Sequence, residues 1–121
     1  INMQRKKTGK LFEFCCLAPA IIAKKSIKTQ KEMSKVGAEL GLLFQIADDL
    51  LDIKGNKKNT GKPVKKDKKK GKSTLIKLFG YEKTLGFALD RKKTIINKLK
   101  KYGKKSNKLI EVSDFILNRS F

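Results

Sequence analysis

From about residue 29 to residue 53, apolar side chains return at three- and four-residue intervals: Met33, Val36, Leu40, Leu43, Phe44, Ala47, Leu50 and Leu51. That spacing matches the helical turn and predicts a long helix with one face deeply buried. Before it, residues 2–23 read as one apolar-rich helix, with Pro19 as the place for a kink. The periodicity stops at Lys54. Residues 54–72 hold ten lysines, a single acid (Asp67), three glycines (Gly55, Gly61 and Gly71) and Pro63, which predicts a flexible cationic loop. Helical patterning returns over residues 73–79, breaks at Gly80, runs again over 82–101, ends at Gly103 and resumes over 106–118. No stretch alternates convincingly with a period of two and no internal repeat is visible. The expected fold class is therefore all-α: two helices, a basic loop, then three helices.

The 121 residues, 39% hydrophobic and 35% charged, suit one domain or part of a larger one, and are neither plainly disordered nor membrane-embedded. The first residue is Ile1, which suggests a chain processed or cut from something longer. The formal charge of +20 comes from 31 basic residues against 11 acids, and only Arg5, Arg91 and Arg119 are arginines. Such a balance points to anionic partners: nucleic acid, an anionic membrane surface or a phosphorylated small molecule. The abundance of Lys, Ile and Asn also fits a compositional habit, which accounts for most of the surface lysines.

Cys15 and Cys16 are sequence neighbours, and adjacent cysteines rarely meet disulfide geometry. They read as two small buried apolar residues in a reducing interior. The chain has no histidine, which excludes Ser-His and Cys-His catalysis and His-ligated zinc within it. The longest apolar run, 14–23, is short for a transmembrane span, contains Pro19 and lacks signal-peptide flanks. A cytoplasmic protein without an integral membrane segment is expected.

Three of the few acids, Asp48, Asp49 and Asp52, fall together at the predicted end of the long helix. Carboxylates three and four residues apart on a helix have Cβ atoms about 5–6 Å apart, so they can converge on one side. Like charges at that spacing cost a few tenths of a kcal/mol per pair. A helix C-terminus is also the wrong end for anions. This conflict with local rules is what a functional site looks like. Mg²⁺ would resolve it, being a hard cation held by one or two carboxylates together with substrate phosphates. A solvated acidic turn, or partners for nearby lysines, is the plain alternative. The loop that follows adds Lys62 and Lys72 on a glycine-containing segment, so acids for a metal stand beside lysines for phosphate oxygens. Most other loop lysines, Lys57, Lys58, Lys65, Lys66, Lys68, Lys69 and Lys70 among them, read as solvated.

Two lookalikes fall away. Gly71-Lys72-Ser73-Thr74 ends like a P-loop, but Lys66 stands where that motif needs glycine and no apolar strand precedes it. DDLLDI lacks the alternating oxygen ligands and the sixth-position glycine of an EF-hand.

FQIADDLLDIKG (44–55), followed by TGKPVKKD (60–67) and GKST (71–74), closely resembles the second aspartate-rich region of the trans-prenyl diphosphate synthases. KTGKLF (7–12) is similar to the family's KTG-x-L-[FI] segment, and FILNR (115–119) to its closing aromatic-aliphatic-Arg stretch. The resemblance covers essentially the whole chain in order. It implies an all-α isoprenoid synthase bundle that condenses an allylic diphosphate with isopentenyl diphosphate head to tail, with Mg²⁺ as cofactor. By this resemblance Asp48, Asp49 and Asp52 would bind one of three Mg²⁺ ions. Lys7, Lys62 and Lys72 would contact diphosphate oxygens, with Thr8 and Gln45 in support. Phe44 would line the prenyl-chain pocket or face the condensing double bond, although its spacing alone suits a core aromatic. Asp67 matches a structural acid. A homodimer is implied for the full-length protein, with no nucleic-acid partner.

The family's first aspartate-rich motif and its upstream isopentenyl-binding basic residues are absent from these residues, and Asn56 replaces an aspartate common in relatives. The whole chain, 1–121, is therefore expected to be the C-terminal part of one polyprenyl synthetase domain, inactive alone. Two other readings stand beside it. A basic helical nucleic-acid-binding module explains the charge but not the three acids, and it has few arginines and no tryptophan for base readout or stacking. A non-catalytic subunit of a prenyl synthase conflicts with the intact acids and lysines.

Overall fold

The computed structural model describes residues 2–58 and 75–119, and for residues 2–5, 7 and 54–58 the backbone alone. In chain order it has α1 (Asn2–Ile22), α2 (Ile27–Lys58), α3 (Leu75–Phe79), α4 (Tyr81–Leu99), a 3₁₀ stretch (Lys100–Ser106) and α5 (Asn107–Asn118). No strand occurs among the described residues, as the missing two-residue alternation predicts.

α2 is the axis of the fold, in contact with α1, α3, α4 and α5. Val36, Leu40, Leu43, Ala47 and Leu50 form its buried stripe, each at 1% exposure or less. They meet Ala88, Ile95 and Leu99 of α4 and Ile116 and Leu117 of α5 in one core. Each fully buried leucine contributes about 1.5–3 kcal/mol relative to its exposed state. This stripe sets the rotation of α2 about its axis, and with it the direction in which every other residue of the helix faces.

α1 pairs with α2 as a helical hairpin. The turn carries Lys24 at φ 49°, and Lys24 and Lys25 donate backbone N–H bonds back to Ile21 and Ala20. Ser26 then opens α2 by accepting the Thr29 N–H at 3.2 Å, relieving one of the orphan donors of a helix start. Further along, Ser34 donates to Glu13 at 2.7 Å. α1 continues through Pro19 to Ile22, and the Pro19 carbonyl accepts the Ala23 N–H. Only one stripe of α1 can face α2, and successive residues lie about 100° apart around a helix. Cys15 and Cys16 therefore do not both bury: Cys15 is exposed and Cys16 half-buried, which corrects the expectation of a buried pair. Burial pushes the Cys16 thiol above its ordinary pKa. Leu11, Phe14, Ile21 and Ile22 remain exposed on α1.

The cationic loop does not begin at Lys54. α2 continues to Lys58, through Gly55. Extending an existing helix fixes one residue per hydrogen bond, and lysine is a good helix former, so a lysine-rich continuation is cheap. The rest of the expected loop lies outside the described residues. One consequence reaches the acids: Asp52 sits well over a turn before the end of α2, beyond the short reach of the macrodipole's negative end.

The breaks at Gly80 and Gly103 are both present, with φ 84° and φ 57°. Past Leu99, Tyr102 donates its hydroxyl to Glu32 at 2.7 Å and Lys101 pairs with the same carboxylate. These partners, Lys101 first, hold Glu32 below its ordinary pKa, while the bond to Glu32 and burial raise Tyr102. The bend at Gly103 is thereby tied to the start of α2. No helix among the described residues is long and apolar enough to cross a membrane.

Candidate functional site: the acidic turn of α2

With the buried stripe of α2 against α4 and α5, the residues beside it divide between two surroundings. Phe44 and Asp48 look toward the end of α5. Gln45 and Asp49 line a groove between α1, α2 and α3.

The groove has a volume of about 280 Å³ and is lined in part by Lys6, Gly9, Gly41, Gln45, Asp49 and Leu75. It owes its shape to glycine. A Cβ on Gly37 would stand 2.6 Å from the Glu13 Cα and the Phe12 carbonyl oxygen, and one on Gly41 would stand 2.9 Å from the Gly9 Cα. The two backbones approach so closely here that α1 forms one wall of the groove. Asp49 is only 7% exposed although it is a carboxylate, and Gln45 is half-buried. A nearly buried acid beside an amide in a groove is an oxygen-rich lining suited to a cation or to a ligand that brings one.

Asp48 is more open, its side chain 45% exposed, and Arg119 Nη2 donates to its Oδ1 at 2.6 Å. The same guanidinium lies over the Phe44 ring, 4.1 Å from the centroid. Phe44 also meets Phe12 of α1, at 5.3 Å between centroids with the rings tilted by 44°. Phe44 is thus an aromatic link between α1 and the end of α5. Asp52 is exposed.

The three carboxylates do not converge on one side as the spacing suggested. Asp48 and Asp49 are successive residues and point about 100° apart, one to Arg119 and the other into the groove. Among the described residues no group of three or more acidic, thiol or imidazole side chains is gathered closely enough to hold a metal ion. The donor chemistry nonetheless suits a hard divalent cation: Asp48, Asp49 and Asp52 bring only oxygen, and neither soft thiolate nor imidazole is among them.

Thr8 is half-buried on α1, one residue before the Gly9 that touches Gly41. The backbone of Lys7 is helical. Lys62, Lys72 and Asp67 lie outside the described residues. Two residues of the site escaped the sequence reading. Lys6 lines the groove although the quoted motif starts at Lys7. Arg119 stands in the closing FILNR stretch, where the local sequence assigns it no task; an arginine among so many lysines is the available signal.

An all-helical bundle with an acid- and amide-lined groove beside its central helix is the class of protein that this architecture defines. The sequence matches the Polyprenyl synthetase family over residues 1–115, and the chain belongs to that family. It is 41% identical over 83 residues to a geranylfarnesyl diphosphate synthase of Aeropyrum pernix, covering 69% of this chain and 26% of the relative. It is 37% identical over 91 residues to a farnesyl diphosphate synthase of Geobacillus stearothermophilus, covering 73% and 31%. A geranylgeranyl diphosphate synthase of Saccharolobus solfataricus is 35% identical over 121 residues, covering 99% of this chain and 35% of that protein. The chain thus spans about a third or less of the length of these relatives.

Proposed function

We propose that these residues contribute to a prenyltransferase that condenses an allylic diphosphate with isopentenyl diphosphate, head to tail, in a Mg²⁺-dependent reaction. The observation that carries the reading is Asp49, a carboxylate nearly buried in the α1–α2 groove beside Gln45, one residue from the more open Asp48. A carboxylate and an amide lining one groove offer hard oxygen donors, the ligand type that Mg²⁺ prefers.

In this reading Asp48, Asp49 and Asp52 are the residues that would hold the cation, one or two of them at a time together with oxygens of the allylic diphosphate. When bound, Mg²⁺ supplies electrostatic stabilisation to the departing diphosphate. The Gln45 amide and the Thr8 hydroxyl donate hydrogen bonds to diphosphate oxygens, and Lys7, Lys62 and Lys72 add charge-assisted contacts to the same oxygens. Together they lower the barrier to heterolysis of the allylic C–O bond, because charge builds on the oxygens they bind. The isopentenyl double bond then attacks the allylic cation, and the proton lost from the adduct passes to the released diphosphate. Phe44 offers an apolar wall to the prenyl chain. No step needs histidine or a covalent nucleophile, which the composition agrees with.

The same reading makes residues 1–121 part of a larger helical domain. The short coverage of the relatives and the exposed apolar residues of α1 both support this. It further has the full-length protein working as a cytoplasmic homodimer without a nucleic-acid partner. The deciding experiment is turnover of the full-length chain carrying Asp49→Asn, with labelled isopentenyl diphosphate and a short allylic primer. A loss of about a hundredfold or more is expected. Turnover equal to the unaltered protein's would overturn the assignment.

A further inference from the structure

We propose that Arg119 is a positioning residue for Asp48, holding one carboxylate oxygen so that the other is presented to a divalent cation. The proposal rests on the reading of Asp48 as a metal ligand.

Arg119 is fixed before it reaches the acid. Its backbone N–H bonds to the Phe115 carbonyl at 3.2 Å and closes α5. Its Nε donates to the Ile116 carbonyl at 3.3 Å, and its plane lies over the Phe44 ring at 4.1 Å. Nη2 also approaches the Phe44 carbonyl oxygen at 3.5 Å. A guanidinium held along its length by a carbonyl and an aromatic face loses little further freedom on meeting a carboxylate. The final bond, Nη2 to Asp48 Oδ1 at 2.6 Å, is short and charge-assisted.

The contact is to a single oxygen, and the Asp48 side chain remains 45% exposed. An ionised carboxylate has about four acceptor sites, so this bond leaves room for a cation at Oδ2. It also restricts the carboxylate to one orientation. Metal-ligating carboxylates characteristically carry such an outer hydrogen-bond partner, and its removal typically weakens metal binding by about 10–100-fold. The pairing has a second effect here. In a chain with 31 basic residues, an unheld Asp48 would be open to flexible lysines. A stacked arginine commits it to one partner on one oxygen. Because the Phe44 ring carries the guanidinium, the wall assigned to the prenyl chain and the ligand assigned to the metal are set by the same side chain.

The test is Mn²⁺ binding to the full-length protein in the presence of inorganic pyrophosphate, with free Mn²⁺ read by electron paramagnetic resonance. Arg119→Ala is expected to raise the Mn²⁺ dissociation constant about tenfold or more. Arg119→Lys, which keeps the charge but not the planar fork, should recover only part of the loss. Asp48→Asn should weaken binding too, and the double variant should bind no more weakly than Asp48→Asn alone, because Arg119 acts through Asp48. Additive losses would make Arg119 merely structural and overturn the proposal. So would unchanged or tighter Mn²⁺ binding in Arg119→Ala while Asp48→Asn still weakens it, and in that case the metal assignment of Asp48 stands. Unchanged binding in Asp48→Asn removes that assignment and the proposal with it. If Arg119→Ala loses helical ellipticity, Arg119→Gln, which retains a donor, replaces it in the same comparison.

Discussion

Gly41 of α2 lies against Gly9 of α1 so closely that a Cβ at position 41 would stand 2.9 Å from the Gly9 Cα. Both partners are backbone, so no flexible side chain can give way. Gly41→Ala is expected to push α1 outward and to destabilise the fold by about 1–3 kcal/mol. Gly37→Ala should cost at least as much, since its Cβ would meet the Glu13 Cα and the Phe12 carbonyl oxygen at 2.6 Å. Urea denaturation followed by ellipticity at 222 nm measures both. An unchanged midpoint in either variant would show that α1 does not cross α2 this tightly.

Two other glycines should respond with opposite signs. Gly80 has φ 84° and ψ 166°, a conformation open almost only to glycine, and Gly80→Ala should lose about 1–3 kcal/mol. Gly86 lies within α4 with nothing within 4 Å of an added Cβ. Gly86→Ala should gain about 0.5–1 kcal/mol from helix propensity alone. Thermal melts of the pair decide it, and shifts of the same sign would contradict the backbone described for α3–α4.

Stability should fall in acid through Glu13 and Glu32. Lys10 and Ser34 hold Glu13 below its ordinary pKa, and Lys101 and Tyr102 do the same for Glu32. A depressed carboxyl pKa gives stability that is present above the unfolded-state value and lost as pH falls through the folded one. The melting midpoint is therefore expected to drop between about pH 6 and about pH 3, and the drop should shrink in Glu13→Gln/Glu32→Gln. Tyr102 carries the opposite sign. Its raised pKa gives stability present below the unfolded tyrosine value and lost as pH climbs through the folded one. Tyr102→Phe should remove that alkaline loss.

Phe44→Leu keeps much of the apolar volume but removes the aromatic face under Arg119 and beside Phe12. The cation–π contact is worth about 0.5–1 kcal/mol at a partly exposed site, and the ring pair a similar amount. Denaturation of the variant should show a loss of about 1–2 kcal/mol. Leaving stability untouched would mean that the ring does not bridge α1 and the end of α5.

Removal of divalent cations by a chelator should stop prenyl transfer by the full-length protein. Mg²⁺ or Mn²⁺ should restore it, since an all-carboxylate ligand set accepts either. Turnover that survives chelation would exclude the acidic turn as a metal site.

The order of helices was legible because a helix that buries one face must repeat its apolar residues every three or four positions. Val36, Leu40, Leu43, Ala47 and Leu50 do so, and all five are core. Gly80 and Gly103 marked both breaks, since a positive φ favours glycine there. Where the helices end was less legible: α2 runs on to Lys58 because its own turns stabilise a lysine-rich continuation that composition alone marks as loop.

For the site, the sequence alone determined which residues to consider, because Asp48, Asp49 and Asp52 set like charges three and four residues apart and sit in a recognisable motif. It could not say where each one points. That was decided by the buried stripe, which fixes the rotation of α2 and sends Asp49 into the α1–α2 groove and Asp48 toward α5. Nor does any local pattern connect Asp48 with Arg119, which meet only when α5 packs back on α2. Spacing along a helix governs neighbours three and four residues apart. Contacts between elements distant in sequence depend on how the apolar faces pack together, and only the tertiary structure decides that.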